Sequence, residues 1–458
     1  MKTLPESLWI KNPQAILADG DAGGGLVVRD GVIAELVPSG QAPVTAYDTV
    51  FDAHDHVVIP GLINTHHHFY QTLTRAWGPA ADAELFPWLQ NLYPLWARLT
   101  PEALDAAVRV ALAELLLSGC TTAADHHYVF PAGLDEAIDI EVAAVRDFGM
   151  RATLTRGSMT LGEDDGGLPP QSTVQSLDVV LADSERLIET YHERGDGAVI
   201  QIALAPCSPF SVTREAMQES ALLAARHGVR LHTHLAETLD EEEFCLDRFG
   251  LRPLDYLESV GWLGPQTWLG HGIHFTDAEI AQLGAAGTAV AHCATSNMRL
   301  ASGIARVLEL EAAGVPVGLG VDGSASNDGS NMILEARQAL YLQRLRYGAD
   351  VPVRRALGWA TAGSAGVLGR SDIGTIRVGA QADLACFTTN ALRFSGSHDP
   401  LAALLLCGAD RADHVMVGGR WRVVDGAIEG GLDLDELIAR HTRSAKELVG
   451  GSPIRQFA

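Results

Sequence analysis

The middle of the chain alternates short apolar runs with helical patterns, and this alternation limits the fold more than any other feature. An apolar run followed by a helical pattern is typical of one βα unit. Eight such units in succession favour closure into a (β/α)8 barrel, with a doubly wound open sheet as the alternative. The predicted strands are 57–66, 120–125, 150–156, 199–205, 229–235, 267–271, 288–293 and 316–322. The helical patterns include 101–118, 134–148, 214–227, 276–286 and 331–346.

Both ends of the chain carry β patterns instead. Two apolar runs near the N-terminus flank Asp30-Gly31, which is a hairpin signal; the runs are 26–29 and 32–37. The matching segments near the C-terminus are 374–387, 414–417 and 421–428. We therefore predict a barrel of residues 57–372 and one small β-sandwich formed from residues 1–56 and 373–458. A terminal amphipathic helix is predicted at 432–449.

The composition restricts the compartment and the partners. The 458 residues carry a net charge of -24, which argues against a nucleic-acid partner because Lys and Arg are what hold a phosphate backbone. Six scattered cysteines without a C-x-x-C pair are typical of reduced thiols. Residues 1–7 show no secretory signal, and the most apolar helical stretch, 106–124, is too interrupted to span a membrane. We expect a cytoplasmic homo-oligomer that acts on a small molecule.

Four of the predicted strands end in residues that bind metal ions well. The first strand ends in three histidines, and because side chains alternate along a strand, His66 and His68 project together while His67 points away. The fifth, sixth and eighth strands end in His234, His271 and Asp322. These side chains should converge, since strand C-termini meet at one face of a barrel. A polar turn or a core histidine explains each residue alone, but not four at corresponding positions.

The type of metal follows from this donor set. Neutral imidazoles with one carboxylate suit a borderline divalent ion, so we predict Zn2+, with Fe2+ as the alternative. Such an ion lowers the pKa of bound water and supplies hydroxide near neutral pH. Two-metal hydrolase barrels often bridge their ions with a carboxylated lysine, and residues 12–445 contain no lysine. This favours a single metal and excludes a Schiff-base lysine in the barrel.

Two connections are unusually long for βα units and are predicted to cover the site. Residues 69–100 carry aromatic side chains that suit the wall of a flat substrate, and residues 157–172 carry the glycines and prolines of a lid. Surface excursions without function are the alternative. The candidate substrate-binding residues here and at other strand ends are Trp96, His126, Tyr128 and Cys207. Packing behind the site is the alternative for each of them.

Together these motifs resemble the amidohydrolase superfamily, in its aminohydrolase branch. The matching motifs are H-x-H at 66–68, H-x-x-E at 234–237, His271 after strand 6 and Asp322 after strand 8. Longer similar stretches lie at 64–75, 121–128, 155–162, 205–210 and 374–384, so the resemblance covers nearly the whole chain. It implies that zinc is bound by His66, His68, His234 and Asp322. It also implies that Glu237 protonates a ring nitrogen, His271 orients the hydroxide and Asp322 passes a proton to departing ammonia.

The longer stretches imply the substrate as well. They imply hydrolytic deamination of the free base 8-oxoguanine to urate and ammonia, with Gln71 bound to the purine edge. Related guanine deaminases place an arginine soon after strand 4, where this chain has Cys207-Ser208-Pro209, and this difference puts guanine in doubt. The alternatives within the branch are guanine, isocytosine, a pterin or a triazine. A barrel that has lost activity is the alternative outside it.

Overall fold

The computed structural model describes residues 7–450, in which strands and helices alternate. Residues 1–6 and 451–458, which the predictions for the chain ends include, lie outside the described part. The strands are β1 Ser7–Lys11, β2 Ala15–Ile16, β3 Gly25–Arg29, β4 Val32–Val37, β5 Thr49–Asp52, β6 His56–Pro60, β7 Leu62–Asn64, β8 Cys120–His127, β9 Arg151–Ser158, β10 Ile200–Pro206, β11 Arg230–Leu235, β12 Thr267–His271, β13 Ala289–His292, β14 Val317–Leu319, β15 Leu384–Thr388, β16 His414–Val417, β17 Arg420–Val424 and β18 Ala427–Ile428.

The helices complete the list of elements. The α-helices are α1 Gly78–Ala81, α2 Leu85–Trp96, α3 Pro101–Leu117, α4 Ala137–Phe148, α5 Leu177–Tyr191, α6 Arg214–His227, α7 Leu239–Phe249, α8 Pro253–Ser259, α9 Asp277–Ala286, α10 Ala294–Arg299, α11 Val307–Ala312, α12 Met332–Tyr347, α13 Val353–Gly358, α14 Ser364–Val367, α15 Pro400–Leu406 and α16 Leu434–Val449. Shorter 3-10 helices cover Phe69–Thr74, Glu163–Asp165, Gln171–Thr173 and Leu392–Phe394. No helix among residues 7–450 combines the length and the apolar character that crossing a bilayer requires.

Strands β7 to β14 form one parallel sheet in which each strand pairs with the next along the chain. Two backbone hydrogen bonds join its first and last strands. The Thr65 amide donates to the Leu319 carbonyl at 2.9 Å, and the Asp322 amide donates to the His66 carbonyl at 3.0 Å. These bonds close the sheet, so the predicted (β/α)8 barrel is confirmed and the open doubly wound sheet is excluded.

The single strand predicted at 57–66 is wrong, because this stretch forms two strands in different sheets. β6 pairs antiparallel with β15 in the sandwich, whereas β7 pairs with β8 in the barrel. Gly61 lies between them, and a Cβ atom there would lie 2.2 Å from Thr121 Oγ1, so this close approach requires glycine. All residues of both strands are buried. A continuous apolar run therefore does not reveal where one sheet ends and the next begins.

The two chain ends form two sheets that share an apolar core. The first has the strand order β4-β3-β1-β5, and the second, β18-β17-β16-β15-β6-β2, mixes strands from both ends of the chain. The fully buried side chains between the sheets include Ile10, Leu26, Ile33, Val58, Leu384 and Met416. The hairpin predicted around Asp30-Gly31 is the β3–β4 pair. The domain boundaries at 56/57 and 372/373 stay predictions.

The connection at 69–100 is largely helical. It contains the 3-10 helix Phe69–Thr74, followed by α1 and α2. The terminal helix α16 packs against this 3-10 helix. Thr72 Oγ1 donates to the Phe69 carbonyl at 3.2 Å and accepts from His441 Nε2 of α16 at 3.0 Å. The far end of the chain thus supports the segment that follows the first barrel strand.

A cluster of buried titratable side chains lies between strand β8 and helix α4. Asp125, His127 and Glu141 bring possible ligand atoms within 4.8 Å of one another and are buried. His127 Nε2 donates to the Val129 carbonyl at 2.8 Å, so His127 Nδ1 can only accept in its 3.1 Å contact with Glu141 Oε1. The two atoms form no hydrogen bond, but a lone pair on His127 Nδ1 would repel an ionised carboxylate at this distance, so the contact favours the protonated form of Glu141. Burial favours the same form, because it raises the pKa of Glu141 to about 8.

The neutral form of Glu141 makes stability depend on pH. Its pKa is about 8 in the folded chain, against the ordinary 4.5 that applies to the unfolded chain. Between these values the folded state binds more protons, so the free energy of unfolding falls as pH rises. We expect Glu141→Gln, which imitates the neutral acid, to reduce this fall by at most ~4 kcal/mol between about pH 5 and pH 8, while Asp125, whose pKa is also raised by burial and by Glu141, keeps a part of it.

Urea unfolding of the wild type and Glu141→Gln at both pH values measures this difference. Glu136→Gln serves as the control, since Glu136 is exposed just before the same helix. An unchanged pH dependence in Glu141→Gln would contradict the assignment of a neutral buried acid.

Candidate active site

A cavity opens at the barrel face where the strands end, and the strand-end side chains form part of its lining. Its empty space, counted together with the part open to solvent at the mouth, is about 360 Å³. The lining comprises His68, Gln71, Leu85, Trp88, Leu89, Tyr93, Tyr128, Cys207, Phe210, His234, Glu237, His271, Leu300 and Asp322. Helix α2 supplies four of these residues, so the long first connection walls the cavity with apolar and aromatic surface.

Two of the histidines have a fixed tautomer, because one ring nitrogen of each donates to a backbone carbonyl. His68 Nδ1 donates to the His126 carbonyl at 2.7 Å, and His234 Nδ1 donates to the Cys207 carbonyl at 2.6 Å. In the neutral ring the Nε2 atom then carries a lone pair. The Nε2 atoms of His68 and His234 lie 3.2 Å apart. Two lone pairs at this distance repel each other unless a cation lies between them.

His66 reaches the same state through a relay of two rings. His232 Nδ1 donates to the Trp268 carbonyl at 2.9 Å, so His232 Nε2 is an acceptor. It accepts from His66 Nδ1 at 2.7 Å, which leaves His66 Nε2 as a third lone pair. This Nε2 atom is buried and has no hydrogen-bond partner among the residues described.

The carboxylate of Asp322 completes a donor set whose spacing fits one metal ion. Asp322 Oδ1 lies 3.3 Å from His66 Nε2 and 3.2 Å from His68 Nε2. Ligand atoms about 2.1 Å from a tetrahedral zinc ion lie ~3.4 Å apart, close to these distances. The predicted ligands His66, His68, His234 and Asp322 therefore lie together. Their arrangement fits a divalent cation.

Hydrogen bonds hold the Asp322 carboxylate in its ionised form. The Gly323 amide donates to Oδ1 at 2.7 Å. The hydroxyls of Ser296 and Ser326 donate to Oδ2 at 2.6 and 2.9 Å. Three donors on one carboxylate favour its charged state and fix its orientation.

Glu237 and His271 lie beside this donor set. His271 Nδ1 donates to Asn297 Oδ1 at 2.8 Å, so His271 Nε2 is left as an acceptor. That Nε2 atom lies 3.6 Å from Glu237 Oε2 and 3.9 Å from Asp322 Oδ2. Burial, and then the nearby charge of Asp322, raise the pKa of Glu237 well above its usual value. Burial thus favours the protonated form of Glu237, the form that can donate a proton.

Three strand-end residues without glycine's freedom adopt the left-handed backbone region. Their φ angles are 54° at Ala236, 68° at His271 and 62° at Asp322. Such a conformation costs on the order of 1–3 kcal/mol for each residue. The strained positions are His271 and Asp322 themselves and the residue directly before Glu237. The surrounding structure must hold these side chains in place against the strain.

Two uncharged side chains of the cavity carry fully buried polar atoms that have no hydrogen-bond partner among residues 7–450. They are Gln71, through both amide atoms, and Tyr93, through its hydroxyl. The Gln71 amide packs against Gly323, where a Cβ atom would lie 1.9 Å from Gln71 Oε1. An unpaired buried polar group costs about 1–3 kcal/mol. A bound molecule that pairs with these groups recovers that cost.

The structure separates the predicted substrate-binding residues into two groups. Those that line the cavity are Gln71, Tyr128 and Cys207. Trp96 does not line it, because its indole lies behind the wall and donates to Thr74 Oγ1 at 3.2 Å. His126 also lies outside the lining, and its Nε2 is 2.9 Å from the Ala205 carbonyl. Both occupy the packing positions that the alternative interpretation describes.

Some lining residues are not singled out by sequence patterns. The aromatic richness of 69–100 indicates a wall, but it does not separate Trp88 and Tyr93 from Trp96. Ser296 and Asn297 do not line the cavity but are hydrogen-bonded to Asp322 and His271, and they follow β13, a strand that ends without a predicted ligand. Their position after the C-terminal end of a barrel strand is the available signal.

Comparison with known proteins agrees with this geometry. The chain matches the Amidohydrolase family over residues 57–422. The 8-oxoguanine deaminase of Pseudomonas aeruginosa is 70% identical over 446 residues, which is 97% of this chain and 99% of that protein. An isoxanthopterin deaminase from an unknown prokaryotic organism is 35% identical, covering 88% of both chains. The crystal structure of atrazine chlorohydrolase TrzN from Arthrobacter aurescens TC1, complexed with zinc, has a TM-score of 0.89 at 31% identity, covering 96% of this chain and 100% of that one.

The family match spans the whole barrel and part of the sandwich, and the relatives cover nearly the full chain. The resemblance inferred from the strand-end motifs is confirmed. The chain belongs to the amidohydrolase family.

Proposed function

We propose that the chain removes the 2-amino group of free 8-oxoguanine by hydrolysis, giving urate and ammonia. The observation that carries the proposal is the meeting, at one end of the cavity, of a donor set for one divalent ion with the buried carboxyl group of Glu237, whose pKa burial raises. The 70% identity to the Pseudomonas aeruginosa enzyme supports the choice of substrate.

One ion would be held by His66, His68, His234 and Asp322. Three imidazole nitrogens and one carboxylate oxygen suit Zn2+, and Fe2+ is the alternative. A divalent ion at this site supplies a water molecule whose pKa is lowered towards neutrality. The absence of lysine from residues 12–445 leaves no carboxylated lysine to bridge a second ion.

The remaining chemistry belongs to three side chains. Glu237 donates its proton to the ring nitrogen beside C2, which makes C2 electrophilic. His271 Nε2, an acceptor, takes a hydrogen bond from the attacking water and orients it. Asp322 accepts the proton of that water and transfers it to the departing amino group. The C2–O bond forms, the C2–N bond breaks and ammonia leaves, and the second proton of the water, left on the C2 oxygen, returns to Glu237 and restores the acid.

Substrate recognition would depend on the neutral side chains of the cavity. Gln71 and Tyr93 offer unpaired donors and acceptors to the edges of the ring. Tyr128 and Cys207 complete the wall, and burial raises the pKa of the Cys207 thiol to about 12, so that it stays uncharged. A neutral thiol replaces the arginine that related guanine deaminases carry after strand 4.

Other ring systems are the second class of substrate. The similarity to an isoxanthopterin deaminase and to an atrazine chlorohydrolase keeps a pterin and a triazine as alternatives. Guanine and isocytosine are alternatives that share the amino-substituted pyrimidine ring. The homo-oligomeric state, the cytoplasmic location and the absence of a nucleic-acid partner stay predictions.

A substrate panel tests the proposed function. We expect kcat/KM for 8-oxoguanine to exceed the values for guanine, isocytosine, isoxanthopterin and atrazine by at least about 10-fold, because unpaired buried groups penalise a poorly matched ring. Product release is measured as urate by absorbance and as ammonia by a coupled assay. A higher kcat/KM for any other member of the panel would overturn the choice of 8-oxoguanine.

The role of Glu237 is tested by Glu237→Gln, which keeps the size of the side chain but cannot supply the proton. We expect kcat to fall by about 100- to 10,000-fold while the protein keeps one equivalent of zinc or iron. Elemental analysis and turnover per bound metal measure both effects. The control is Glu243→Gln, since Glu243 is exposed on α7. Turnover near that of the wild type would place the proton donor elsewhere, and wild-type protein without either metal would contradict the ion site.

Tyr93→Phe tests whether the unpaired hydroxyl reads the substrate. We expect kcat/KM for 8-oxoguanine to fall by about 10-fold, the value of one buried hydrogen bond to a neutral group. Tyr341→Phe, at an exposed position of α12, is the control. Equal kcat/KM values in Tyr93→Phe and the control would remove Tyr93 from the recognition set.

A further inference from the structure

The carboxyl group of Glu241 lies outside the cavity but is hydrogen-bonded to the segment that carries the proposed proton donor. Its Oε1 accepts from the Ala236 amide and its Oε2 from the Glu237 amide, both at 2.9 Å. Glu241 is fully buried in the first turn of α7. One rigid carboxyl group thus holds two consecutive peptide groups in a fixed orientation.

The conformation of these two peptide groups is not stable by itself and needs an external constraint. Ala236 has a φ of 54°, a strained conformation for a residue with a Cβ atom. The Glu237 carboxyl lies 3.6 Å from His271 Nε2, which is longer than a normal hydrogen bond. Its position therefore depends on the backbone from which it projects.

The segment after His271 is attached to the same point. The Ala236 carbonyl accepts from the Ile273 amide at 2.8 Å and from the His274 amide at 2.9 Å. A shift of Ala236 would therefore move the backbone directly before the proposed acid and the backbone shortly after His271. Glu241 holds the peptide unit on which both depend.

Two other buried carboxyl groups hold catalytic segments in the same way. Asp125 Oδ1 accepts from the Phe69 amide, directly after His68, at 2.6 Å. Glu335 on α12 accepts from the Thr295 amide at 3.0 Å and from Asn327 Nδ2, five residues after Asp322, at 3.0 Å. The contact made by Glu241 is thus part of a repeated arrangement, in which a buried acid behind the barrel face fixes the backbone beside a site residue.

We propose that Glu241 is a positioning residue for catalysis, which sets the place of the Glu237 carboxyl through the Ala236 and Glu237 amides. The proposal rests on the role of Glu237 put forward above. According to this proposal, Glu241 contributes to the reaction rate although it contacts neither the substrate nor the metal. Misplacement of a catalytic group by about 1 Å is enough for a ~100-fold loss of rate.

The test compares Glu241→Gln and Glu241→Ala with Glu243→Gln, the exposed control on the same helix. Glutamine keeps one acceptor oxygen, whereas alanine removes both. We expect kcat per bound metal to fall by about 10-fold in Glu241→Gln and by about 100-fold in Glu241→Ala, with KM within about 3-fold of the wild type. Hydrogen exchange of the peptide that contains Ala236 and Glu237, followed by mass spectrometry, should be faster in both variants. The control should match the wild type in every measurement.

The outcomes separate this inference from the proposed function. Wild-type kcat in Glu241→Gln and Glu241→Ala, with Glu237→Gln inactive, would overturn the positioning role and leave the proposed chemistry intact. Loss of metal from Glu241→Gln would also overturn it, because Glu241 would then support the ion site instead of the acid. A wild type inactive on every base of the panel would overturn the proposed function itself. Faster amide exchange with a lower kcat and unchanged KM supports the inference.

Discussion

The site depends on the direction of three imidazole lone pairs. The N–H groups on the opposite ring nitrogens donate hydrogen bonds to backbone carbonyls of neighbouring strands. His68 and His234 donate directly, and His66 donates through His232. The carbonyls belong to adjacent strands, so the register of the parallel sheet decides the tautomers. A shift of the strand register by one residue would place a backbone amide, which is a donor, where a carbonyl acceptor now lies. The histidine would then lose the lone pair that points towards the metal site. The register of the barrel strands and the affinity for a metal ion are for this reason one structural requirement.

Much of the fold and of the candidate site follows from periodicity and strand ends. The eight barrel strands, and the convergence of His66 with Asp322 across 256 positions of sequence, follow from the rule that strand C-termini meet. Two features do not follow. The change of sheet at Gly61 is set by its close approach to Thr121, which an apolar run does not record. Whether Tyr93 or Trp96 faces the cavity depends on the orientation of α2 against the barrel. Both are aromatic residues of the same helix, so the sequence does not distinguish them.

The acids behind the barrel face show how the strain at the site is balanced. Burial raises the pKa of Glu241 and of Glu335 to about 7 each, so these groups are expensive to keep ionised. The amides and side chains that they accept from belong to segments with left-handed residues. A chain optimised for stability alone would replace such groups with apolar packing. Their presence is consistent with a fold that holds a strained surface at the cost of part of its stability.

Helix α16 connects the C-terminal part of the described chain to the segment that carries the proposed substrate-binding residue Gln71. Its His441 donates to the hydroxyl of Thr72, the residue after Gln71. The proposed recognition residue Gln71 is therefore fixed from two directions, by the first barrel strand and by a distant helix. His441 of that helix lies 369 positions after Thr72 in the sequence. A change in the packing of α16 would therefore reach the segment next to the cavity through a single hydrogen bond, although α16 itself does not line the cavity.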